Sequence, residues 1–256
     1  MTKIGVIGLG LIGGSIFKDL KKLGYDVVGI SQSQNGEHIY KNYETLKDCS
    51  IVFVCSAMNK TLEILEKLEG ILNSDTIVTD VCSLKKFVTE KERPYVFIPS
   101  HPMAGTEHKG FENSFEGMFK GATWVLTPFK NTSEDKVKTL VSIIEKLGAN
   151  PLFTTPDRHD EAAAMISHMP MLISQAIFKA ASSNPLALEM ASSGFRDMTR
   201  LALSNEEMAA DMINMNHENI QTAILKVYKA VGDLTSKDYE AQIKDIKQQR
   251  SKMFLS

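Results

Sequence analysis

A glycine-rich turn close to the start of the chain constrains the possible fold more than any other feature of the sequence. Gly8, Gly10 and Gly13 form a G-x-G-x-x-G pattern between an apolar run at residues 3–7 and a helical stretch at residues 11–23. The first glycine permits a tight turn, the second lets the backbone approach a pyrophosphate, and the third allows close helix–strand packing. Backbone N–H groups at the helix start then face the phosphates, so the turn predicts a dinucleotide-binding unit. Its predicted cofactor-binding residues are Gly8, Gly10, Leu11, Ile12 and Gly13.

The first half of the sequence alternates short apolar runs with helical stretches. The runs are rich in Val, Ile and Phe, as strands buried on both faces of a parallel sheet usually are. The predicted strands are residues 3–7, 26–30, 51–55, 76–80, 96–99 and 123–127, and the predicted helices are residues 11–23, 60–71, 84–93 and 133–147. Strand–helix alternation with short connections predicts an α/β fold with a Rossmann-type doubly wound sheet.

After about residue 152 the pattern changes to helix alone. One long helix is predicted from Asp157 to about Ser182, kinked or interrupted at Pro170, because proline lacks the N–H that a helix interior needs. Another long helix is predicted after Ser204, and a lysine-rich terminal helix from about Thr235. The sequence therefore predicts two domains, a nucleotide-binding α/β domain at residues 1–152 and an all-helical domain at residues 153–256.

Methionine is concentrated in the second half, where nine of the 13 methionines lie from Met165 onward. Methionine on a helix face usually fills irregular gaps in a core. A helical domain of about 100 residues is small for an independent core, and the sequence offers more apolar helix face than one copy can cover. We therefore expect the helical domain to bind the substrate, to pair with a second copy and to form a homodimer.

The composition excludes several classes of protein. The 256 residues carry 29 Lys and Arg against 31 Asp and Glu, a net charge of −2, which provides no broad basic surface for nucleic acid or an anionic membrane. No apolar run approaches the roughly 20 residues that a membrane-spanning helix needs, and the chain begins directly with a strand rather than a signal peptide. Three cysteines without a C-x-x-C pair argue against a disulfide framework or a zinc site. We expect a cytoplasmic protein that binds no metal, nucleic acid or membrane.

The residues after the second predicted strand bear on the choice between NAD and NADP. An acidic side chain about 20 residues beyond the glycine turn would accept hydrogen bonds from the ribose of NAD. Ser31, Gln32 and Ser33 stand there instead, and hydroxyl or amide donors can bind a 2′-phosphate that a carboxylate would repel. No arginine lies nearby, so the segment favours NADP and leaves NAD possible. Cys55 and Ser56 are also predicted to contact the cofactor, at the end of the third apolar run.

Three further segments combine polar and charged residues that suit catalysis. Residues 79–85 and residues 100–106 each lie at the end of a predicted strand, and ligands of open α/β sheets gather at the carboxyl ends of strands. Residues 193–200 carry Arg196 and Arg200 in a predicted loop of the helical domain, where two guanidinium groups favour anion binding.

Together with the glycine turn, these segments resemble the prephenate/arogenate dehydrogenase family of tyrosine biosynthesis. The matching motifs are H-P-M-A-G-T at residues 101–106, G-A-T-W-V-L-T-P at residues 121–128, I-S-H-M-P at residues 166–170 and G-F-R-D at residues 194–197. The resemblance covers nearly the whole chain, in the same order. It implies an enzyme that removes hydride from C4 of a cyclohexadienol, while the C4 hydroxyl loses its proton and the ring loses carbon dioxide as it becomes aromatic.

The resemblance also implies roles for individual residues. His101 would accept the hydroxyl proton, because a neutral imidazole suits general-base catalysis at neutral pH. Ser83 would orient His101 and lie near the nicotinamide of the cofactor. Arg196 would clamp the ring carboxylate by a two-pronged contact. The other residues that would bind the substrate are His168, Thr106 and Gly194.

Several of these assignments have a structural alternative. Ser83 could cap a helix that begins at Leu84, in addition to any catalytic role. Arg196 could form a surface ion pair with Asp197, and His168 could be a histidine of the core whose hydrogen bonds are satisfied within the protein.

Two departures from the family pattern bear on the substrate. Many prephenate-using members carry a second histidine three residues after the position of His168, where this chain has Met171. Cyanobacterial and plant-like arogenate enzymes also lack that histidine and often prefer NADP. The segment at residues 32–50 is shorter than usual, so a trimmed third strand is expected. Together with these departures, the resemblance implies oxidative decarboxylation of arogenate to tyrosine with hydride transfer to NADP.

Three alternatives stay open at this point. The first is a prephenate dehydrogenase that forms 4-hydroxyphenylpyruvate with NAD or NADP. The second is another two-domain dehydrogenase, such as a β-hydroxyacid dehydrogenase or an imine reductase, which would not explain the H-P-M-A-G motif. The third is a non-catalytic nucleotide-sensing protein, which would bind the cofactor without turnover and would not need Ser83, His101 and Arg196 together.

Overall fold

A parallel sheet of six strands organises the first half of the chain. The computed structural model describes residues 2–106, 108–236 and 238–254. The strands of this sheet are β1 (Lys3–Ile7), β2 (Asp26–Ile30), β3 (Ile39–Tyr40), β4 (Ile51–Val54), β5 (Ile77–Asp80) and β6 (Val96–Phe97). They lie in the order β3-β2-β1-β4-β5-β6, and every neighbouring pair is parallel. This is the order of a doubly wound dinucleotide-binding sheet, so the predicted Rossmann-type fold is confirmed.

Three helices cover the two faces of this sheet. They are α1 (Leu11–Lys22), α2 (Met58–Leu68) and α3 (Glu134–Lys146). Leu20 of α1 and Ile144 of α3 are buried in the apolar cluster on one face, and Leu65 of α2 is buried in the cluster on the other. Gly148, just beyond α3, has a φ of 88°, the left-handed conformation in which glycine commonly ends a helix. The chain between β2 and β3 forms no helix and β3 has two residues, as the short segment at residues 32–50 predicts.

A second sheet of three strands lies beside the first. Its strands are β7 (Ser100–Pro102), β8 (Thr123–Leu126) and β9 (Asn150–Phe153). β7 pairs antiparallel with β8, and β8 pairs parallel with β9. The sequence analysis predicted neither β7 nor β9 as a strand. It placed the residues of β7 in a segment that follows a strand. β9 is an exposed strand that contains Pro151, so it lacks the continuous apolar run of a buried strand. The predicted domain division after residue 152 falls within β9.

The predicted helix at residues 84–93 is wrong, because this segment forms only a 3₁₀ turn of three residues. The hydroxyl of Thr89 donates to the carbonyl oxygens of Lys85 and Lys86, at 3.1 and 2.8 Å. A side-chain hydroxyl that bonds nearby carbonyls offers the backbone an alternative to the helical pattern. Ser83 therefore caps no helix.

The second half of the chain is helical, as predicted. Its helices are α4 (Pro156–Ala163), α5 (Met169–Ala181), α6 (Pro185–Glu189), α7 (Ser193–Thr199), α8 (Glu206–Met215), α9 (His217–Ser236) and α10 (Tyr239–Phe254). The predicted long helix up to Ser182 is α4 and α5, joined by a π-helical turn at Ala164–His168. The interruption precedes Pro170, which has no N–H to donate. Thr155, rather than Asp157, caps α4 by accepting the N–H of Arg158.

Two other predictions about the helical half need correction. The long helix expected after Ser204 is two helices, α8 and α9, which meet at Asn216. The side chain of Asn216 donates to the backbone of α4, so this residue serves a tertiary contact at the break between the helices. The G-F-R-D motif at residues 194–197 lies in the short helix α7 rather than in a loop.

An apolar cluster joins the helical half to the carboxyl end of the six-stranded sheet. The cluster consists of Met58, Cys82, Leu84, Met171, Ala209 and Met212. These residues come from α2, from the segment after β5, and from α5 and α8. The helical half is thereby fixed over the strand ends where ligands of such sheets bind.

The surface of the helical half is unusually apolar. Its exposed large apolar side chains include Phe178, Leu186, Met190, Met198, Leu203, Leu225, Tyr228 and Val231. In the described part of the chain, no helix combines the length and the apolar character needed to cross a membrane.

Candidate functional site

A cavity of about 390 Å³ opens at the carboxyl ends of β1, β2 and β4. The residues predicted to bind the cofactor that line it are Gly8, Gly10, Ser31, Gln32, Ser33, Cys55 and Ser56. Leu11, Ile12 and Gly13 form the start of α1, directly after Gly10. Ser83 lies outside the lining of this cavity. The structure therefore brings the glycine turn and the segment after β2 to one place, as the nucleotide-binding pattern predicts.

The glycine turn leaves room for a phosphate group at the start of α1. Gly8 has a φ of 84°, and a side chain there would approach the carbonyl oxygen of Cys55 to 2.6 Å. A side chain at Gly13 would collide with the carbonyl oxygen of Gly8. At Gly10, by contrast, no described atom beyond the glycine itself and its two neighbours along the chain lies within 4 Å of the position that a Cβ would take. Backbone N–H groups at a helix start beside open space suit the pyrophosphate of a dinucleotide.

Polar donors surround the end of the cavity beside β2. The Nζ of Lys41 donates to the carbonyl oxygens of Gln32 and Gln34, at 2.9 and 2.7 Å, and Nε2 of Gln32 donates to the carbonyl oxygen of Lys41 at 3.1 Å. The hydroxyl of Ser31 accepts the N–H of Gln34 at 3.1 Å. No carboxylate of the described residues lines the cavity. No sequence pattern points to Lys41, because it reaches this loop from beyond β3.

The cysteines near the cavity are thiols at neutral pH. Burial raises the pKa of Cys55 well above its usual range and that of Cys82 to about 12. The Sγ of Cys82 lies 3.1 Å from the hydroxyl of Thr61, which lies 2.9 Å from the hydroxyl of Ser56. A thiolate is the reactive form of cysteine, so neither residue is suited to act as a nucleophile, and Cys55 contributes to the cavity wall.

A buried ion pair supports the segment between the cavity and the helical half. Lys85 and Asp80 are fully buried and paired through Nζ and Oδ2. The Nζ of Lys85 also donates to the carbonyl oxygen of Ser100 at 2.7 Å. Asp80 accepts the backbone N–H of Cys82 at 3.0 Å and that of Ser100 at 3.2 Å. Asp80 thus ties the turn after β5, which carries the predicted catalytic serine, to the start of β7.

His101 lies on β7 and is oriented by a second histidine. Its Nδ1 lies 3.0 Å from Nε2 of His159, and Nδ1 of His159 lies 2.7 Å from Oδ1 of Asp160. Asp160 also accepts the backbone N–H groups of Lys85 and Lys86, at 2.8 and 2.9 Å. Within the described residues, Nε2 of His101 has no hydrogen-bond partner. The first helix of the helical half therefore positions the histidine of the sheet half and leaves one ring nitrogen for a ligand.

The surroundings of His101 keep its imidazole uncharged. Burial lowers the pKa of His101 well below its usual range, and the neighbouring His159, Lys85 and His168 lower it further. A neutral imidazole can accept a proton at neutral pH, so the electrostatics of this position fit a general base.

His168 ends the π-helical turn and is almost fully buried. Its Nδ1 lies 3.1 Å from Nδ2 of Asn216, which also donates to the carbonyl oxygen of Asp160 at 2.9 Å. Its Nε2 is buried without a hydrogen-bond partner in the described structure. Burial lowers the pKa of His168 to about 4, so the ring is neutral at pH 7. An unpartnered buried nitrogen costs free energy, which makes His168 a candidate contact for a bound ligand.

Ser83 has a different contact from the one that the resemblance implies. Its hydroxyl donates to Sδ of Met58 at 3.3 Å and makes no hydrogen bond to His101. The hydrogen bond that orients His101 comes from His159 instead. Ser83 is half-buried, and its partner Met58 belongs to the apolar cluster that joins the two halves.

The remaining predicted substrate residues lie apart from the histidine cluster. Thr106 is exposed, and its hydroxyl accepts the N–H of His108 at 3.2 Å. Gly194 and Arg196 lie on α7. The Arg196 side chain is 80% exposed, and its Nε lies 3.7 Å from Oδ1 of Asp197, the ion pair weighed as its structural alternative. No hydrogen bond or ion pair of the described residues joins Thr106, Gly194 or Arg196 to the histidine cluster.

Sequence reasoning missed the two residues that hold His101. His159 and Asp160 belong to no motif and show no metal-ligand spacing. The feature that could have identified them is their position in the helix, since they share the buried face of α4 with Ala163. A titratable pair on a buried helix face needs partners, and these are 58 and 75 residues away. Across the described residues, no group of three or more acidic, histidine or cysteine side chains is placed to hold a metal ion.

Comparison with known proteins agrees with the motifs. A family model described as the prephenate dehydrogenase nucleotide-binding domain matches residues 25–152, and one described as the prephenate dehydrogenase dimerization domain matches residues 155–248. The prephenate dehydrogenase of Bacillus subtilis is 30% identical over 236 residues, which cover 83% of this chain and 64% of that protein. This chain therefore spans less than two thirds of the length of that relative.

Solved structures extend the similarity over almost the entire chain. The arogenate dehydrogenase of Synechocystis is 32% identical with a TM-score of 0.82, and the match covers 98% of both chains. The prephenate dehydrogenase of Aquifex aeolicus, in complex with hydroxyphenyl propionate and NAD+, is 27% identical with a TM-score of 0.86, covering 99% of this chain and 98% of that one. With both family models matched in sequence order, the chain belongs to the prephenate dehydrogenase family.

Proposed function

We propose that this protein oxidises and decarboxylates a cyclohexadienol with NAD(P), and that arogenate and NADP are its preferred pair. The observation that carries the proposal is His101, a neutral imidazole whose Nδ1 is held by His159 and whose Nε2 has no hydrogen-bond partner among the described residues. It lies where the carboxyl end of the sheet meets the helical half. Such a group suits removal of a hydroxyl proton in the transition state.

The proposed reaction begins with the hydroxyl at C4 of the substrate. Nε2 of His101 accepts the hydroxyl proton while C4 loses its hydride, and the C4–O bond becomes a carbonyl. The bound nicotinamide supplies the acceptor for that hydride. Loss of the ring carboxylate as carbon dioxide then returns an electron pair to the ring, which becomes an aromatic phenolate. The proton on His101 is available to that oxygen, so the base is regenerated.

Two residues of the helical half are proposed to hold the substrate. Arg196 offers a planar guanidinium that matches the ring carboxylate in a bidentate contact. His168 accepts from Asn216 through Nδ1, so its Nε2 carries the hydrogen and is an unused buried donor. A polar group of the substrate that accepts from Nε2 would satisfy it.

The preference for NADP is proposed from the loop after β2. This loop lines the cavity without a carboxylate, so nothing there would repel a 2′-phosphate. Lys41 adds a positive charge to it, and two of its three N–H donors are used by backbone carbonyls. The third has no acceptor in the part of the chain that the structure describes, so it is available to a phosphate oxygen. NAD is the second candidate, because the Aquifex aeolicus relative is in complex with NAD+.

The preference for arogenate is proposed from the position of Met171. This side chain is buried with Met58, Cys82 and Leu84, so it offers no hydrogen bond where prephenate-using relatives often carry a histidine. The side chain of arogenate is a zwitterion, whereas that of prephenate is an anion that gains more from an additional donor. Prephenate is the second candidate, because relatives from Bacillus subtilis and Aquifex aeolicus carry the name prephenate dehydrogenase.

Initial rates with four mixtures test this function directly. Arogenate and prephenate are each combined with NAD and with NADP, and the formation of reduced cofactor is followed by absorbance. We expect the highest kcat/KM with arogenate and NADP. A higher value with prephenate and NAD would overturn both preferences, and cofactor binding without turnover in all four mixtures would favour a nucleotide-sensing protein. The same mixtures without enzyme correct for spontaneous decarboxylation.

We also propose that the working form is a homodimer held by the helical half. The dimerization-domain model matches residues 155–248, and this part of the chain carries most of the exposed large apolar side chains. Pairing of two copies would bury apolar helix faces that water otherwise contacts, which is the usual driving force for symmetric homodimers.

A further inference from the structure

We propose that His159 and Asp160 form a proton relay that fixes the tautomer of His101 and receives positive charge from it. This inference rests on the proposed use of His101 as the base. It concerns positioning residues, because neither His159 nor Asp160 is proposed to touch the substrate.

The relay begins at Asp160, which is surrounded by donors. Its two carboxylate oxygens accept the backbone N–H groups of Lys85 and Lys86 and face Nδ1 of His159, all within 2.9 Å. Two of these donors are amide groups that cannot act as acceptors. An ionised carboxylate at this position only accepts hydrogen bonds, so all three neighbouring groups donate to it.

The hydrogen positions along the chain then follow from Asp160. Nδ1 of His159 must carry a hydrogen to donate to the carboxylate at 2.7 Å. Neutral His159 therefore has its lone pair on Nε2, which lies 3.0 Å from Nδ1 of His101. His101 must donate through Nδ1, so its own lone pair is on Nε2. This is the nitrogen that has no partner in the described structure, and it is the one a substrate hydroxyl would meet.

A relay solves the problem that burial creates for His101. Burial and the nearby Lys85 disfavour a positive charge on this ring, yet it must accept a proton during the reaction. When Nε2 of His101 gains the hydroxyl proton, its Nδ1 proton can pass to Nε2 of His159. His101 is then neutral again, and the positive charge lies on His159 beside the carboxylate of Asp160. One proton enters and one moves, so charge and hydrogen balance.

The charged groups around the relay support this distribution. Lys85 faces His101, but its charge is paired with Asp80, and His168 is held neutral by burial. Asp160 is therefore the anion in direct contact with the two-histidine pair. The relay therefore places the transferred proton on His159, beside this anion, and the acid limb of the rate profile reports the pair rather than either ring alone.

Nitrogen-15 NMR of the full-length protein with labelled histidine tests the tautomer directly. We expect Nδ1 of His101 to be protonated and Nε2 to be unprotonated near pH 7.5, with the opposite pattern at the Asn216-bound His168. A His101 ring protonated at Nε2 would overturn the proposal. The measurement needs neither substrate nor cofactor, so its result is independent of whether the proposed function is correct.

Two variants test the movement of charge. His159→Gln keeps an oxygen that can accept from Nδ1 of His101 but cannot take its proton, and Asp160→Asn keeps an acceptor without the negative charge. We expect each to lower kcat about tenfold to a hundredfold and to move the acid limb of the kcat/KM profile to lower pH, because the proton must then stay on His101. Substrate KM should change little.

The matched control is His217→Gln, an exposed histidine at the start of α9. It should leave both the rate and the acid limb unchanged. Loss of rate in both relay variants with an unmoved acid limb would mean that His159 and Asp160 only support the fold, which would overturn the relay. If Asp160→Asn fails to fold, His159→Gln alone decides between these outcomes.

Discussion

The two halves of this molecule differ in how completely each covers its own apolar side chains. In the sheet half, Ile4, Val52 and Phe53 lie on strands flanked on both faces and are fully buried. In the helical half, Leu203 and Tyr228 are 81% and 78% exposed. The sheet half thus forms a finished core within one chain. In the described part of the chain, the helical half leaves these apolar faces uncovered, as expected if they form the interface of the proposed homodimer.

The same two halves contribute differently to the candidate site. The sheet half supplies the nucleotide cavity, the buried Asp80–Lys85 pair and His101. The helical half supplies His159 and Asp160, which hold His101 in place. The proposed base therefore belongs to one half, while its orientation belongs to the other. A change in the packing of the two halves should therefore first alter the hydrogen bond between His101 and His159.

The largest effect is expected for His101→Asn, which tests whether the chemistry belongs to the sheet half. Asparagine keeps some hydrogen bonding but cannot accept the hydroxyl proton. Because the interaction strengthens in the transition state, kcat should fall by about 10²–10⁴ with little change in substrate KM. Steady-state rates on purified protein with an unchanged circular dichroism spectrum provide the measurement. A folded variant with nearly wild-type kcat would remove His101 as the base.

The pH dependence of the wild-type enzyme follows from the lowered pKa of His101. A lowered pKa keeps the imidazole neutral, and therefore active, down to a pH below the ordinary histidine value. Activity should be constant through neutral pH and fall only on the acid side, as the ring gains a proton. A rate that falls between pH 8 and pH 7 would contradict this direction, because it would require a raised pKa.

Arg196→Gln tests the substrate-binding role of the helical half. Loss of a charge-assisted bidentate contact should raise substrate KM by an amount that corresponds to roughly 1.5–3 kcal/mol. Cofactor affinity should hardly change, because the nucleotide cavity lies in the sheet half. Arg158→Gln, at another exposed arginine of the helical half, is the control. Equal losses of substrate and cofactor binding would instead assign Arg196 a structural role.

Leu225→Glu tests whether the apolar surface of the helical half is an interface. Leu225, Tyr228 and Val231 recur on one side of α9 and are 67%, 78% and 54% exposed. A charge within this stripe should shift the protein from a dimer towards a monomer of 28.4 kDa, measured by light scattering. The same change at Leu23, which is exposed in the sheet half, should leave the dimer intact. An active wild-type monomer in dilute solution would contradict the proposed assembly.

The comparison of the halves also shows which features a sequence can predict. The roles of Gly8 and Gly13 can be predicted from the sequence, because the strand, the turn and the helix that define those roles follow one another directly along the chain. His159 and Asp160 act on His101 from a different helix, so no spacing along the chain reports the contact. The helix at residues 84–93 was predicted wrongly from the local pattern, because the hydroxyl of Thr89 bonds nearby carbonyl oxygens and the segment forms only a short 3₁₀ turn.

The smallest effect on ligand binding is expected for a substitution of Lys41, the residue of the sheet half that is proposed to favour NADP over NAD. Binding of 2′,5′-ADP and of ADP to the protein is measured by calorimetry, so the result does not depend on catalysis. Lys41→Ala should weaken 2′,5′-ADP binding by about twofold to fivefold, the scale of an exposed charge pair, and should leave ADP binding unchanged. Lys47→Ala removes the same charge from a nearby exposed site and should affect neither ligand.

Ser31→Asp should go further and reverse the preference, because a carboxylate in the cavity wall repels the 2′-phosphate and accepts from the ribose of NAD. Equal weakening of both ligands by Lys41→Ala would mean that Lys41 only holds the loop through the Gln32 and Gln34 carbonyls. The proposed attraction between the Lys41 charge and the 2′-phosphate of NADP would then be wrong.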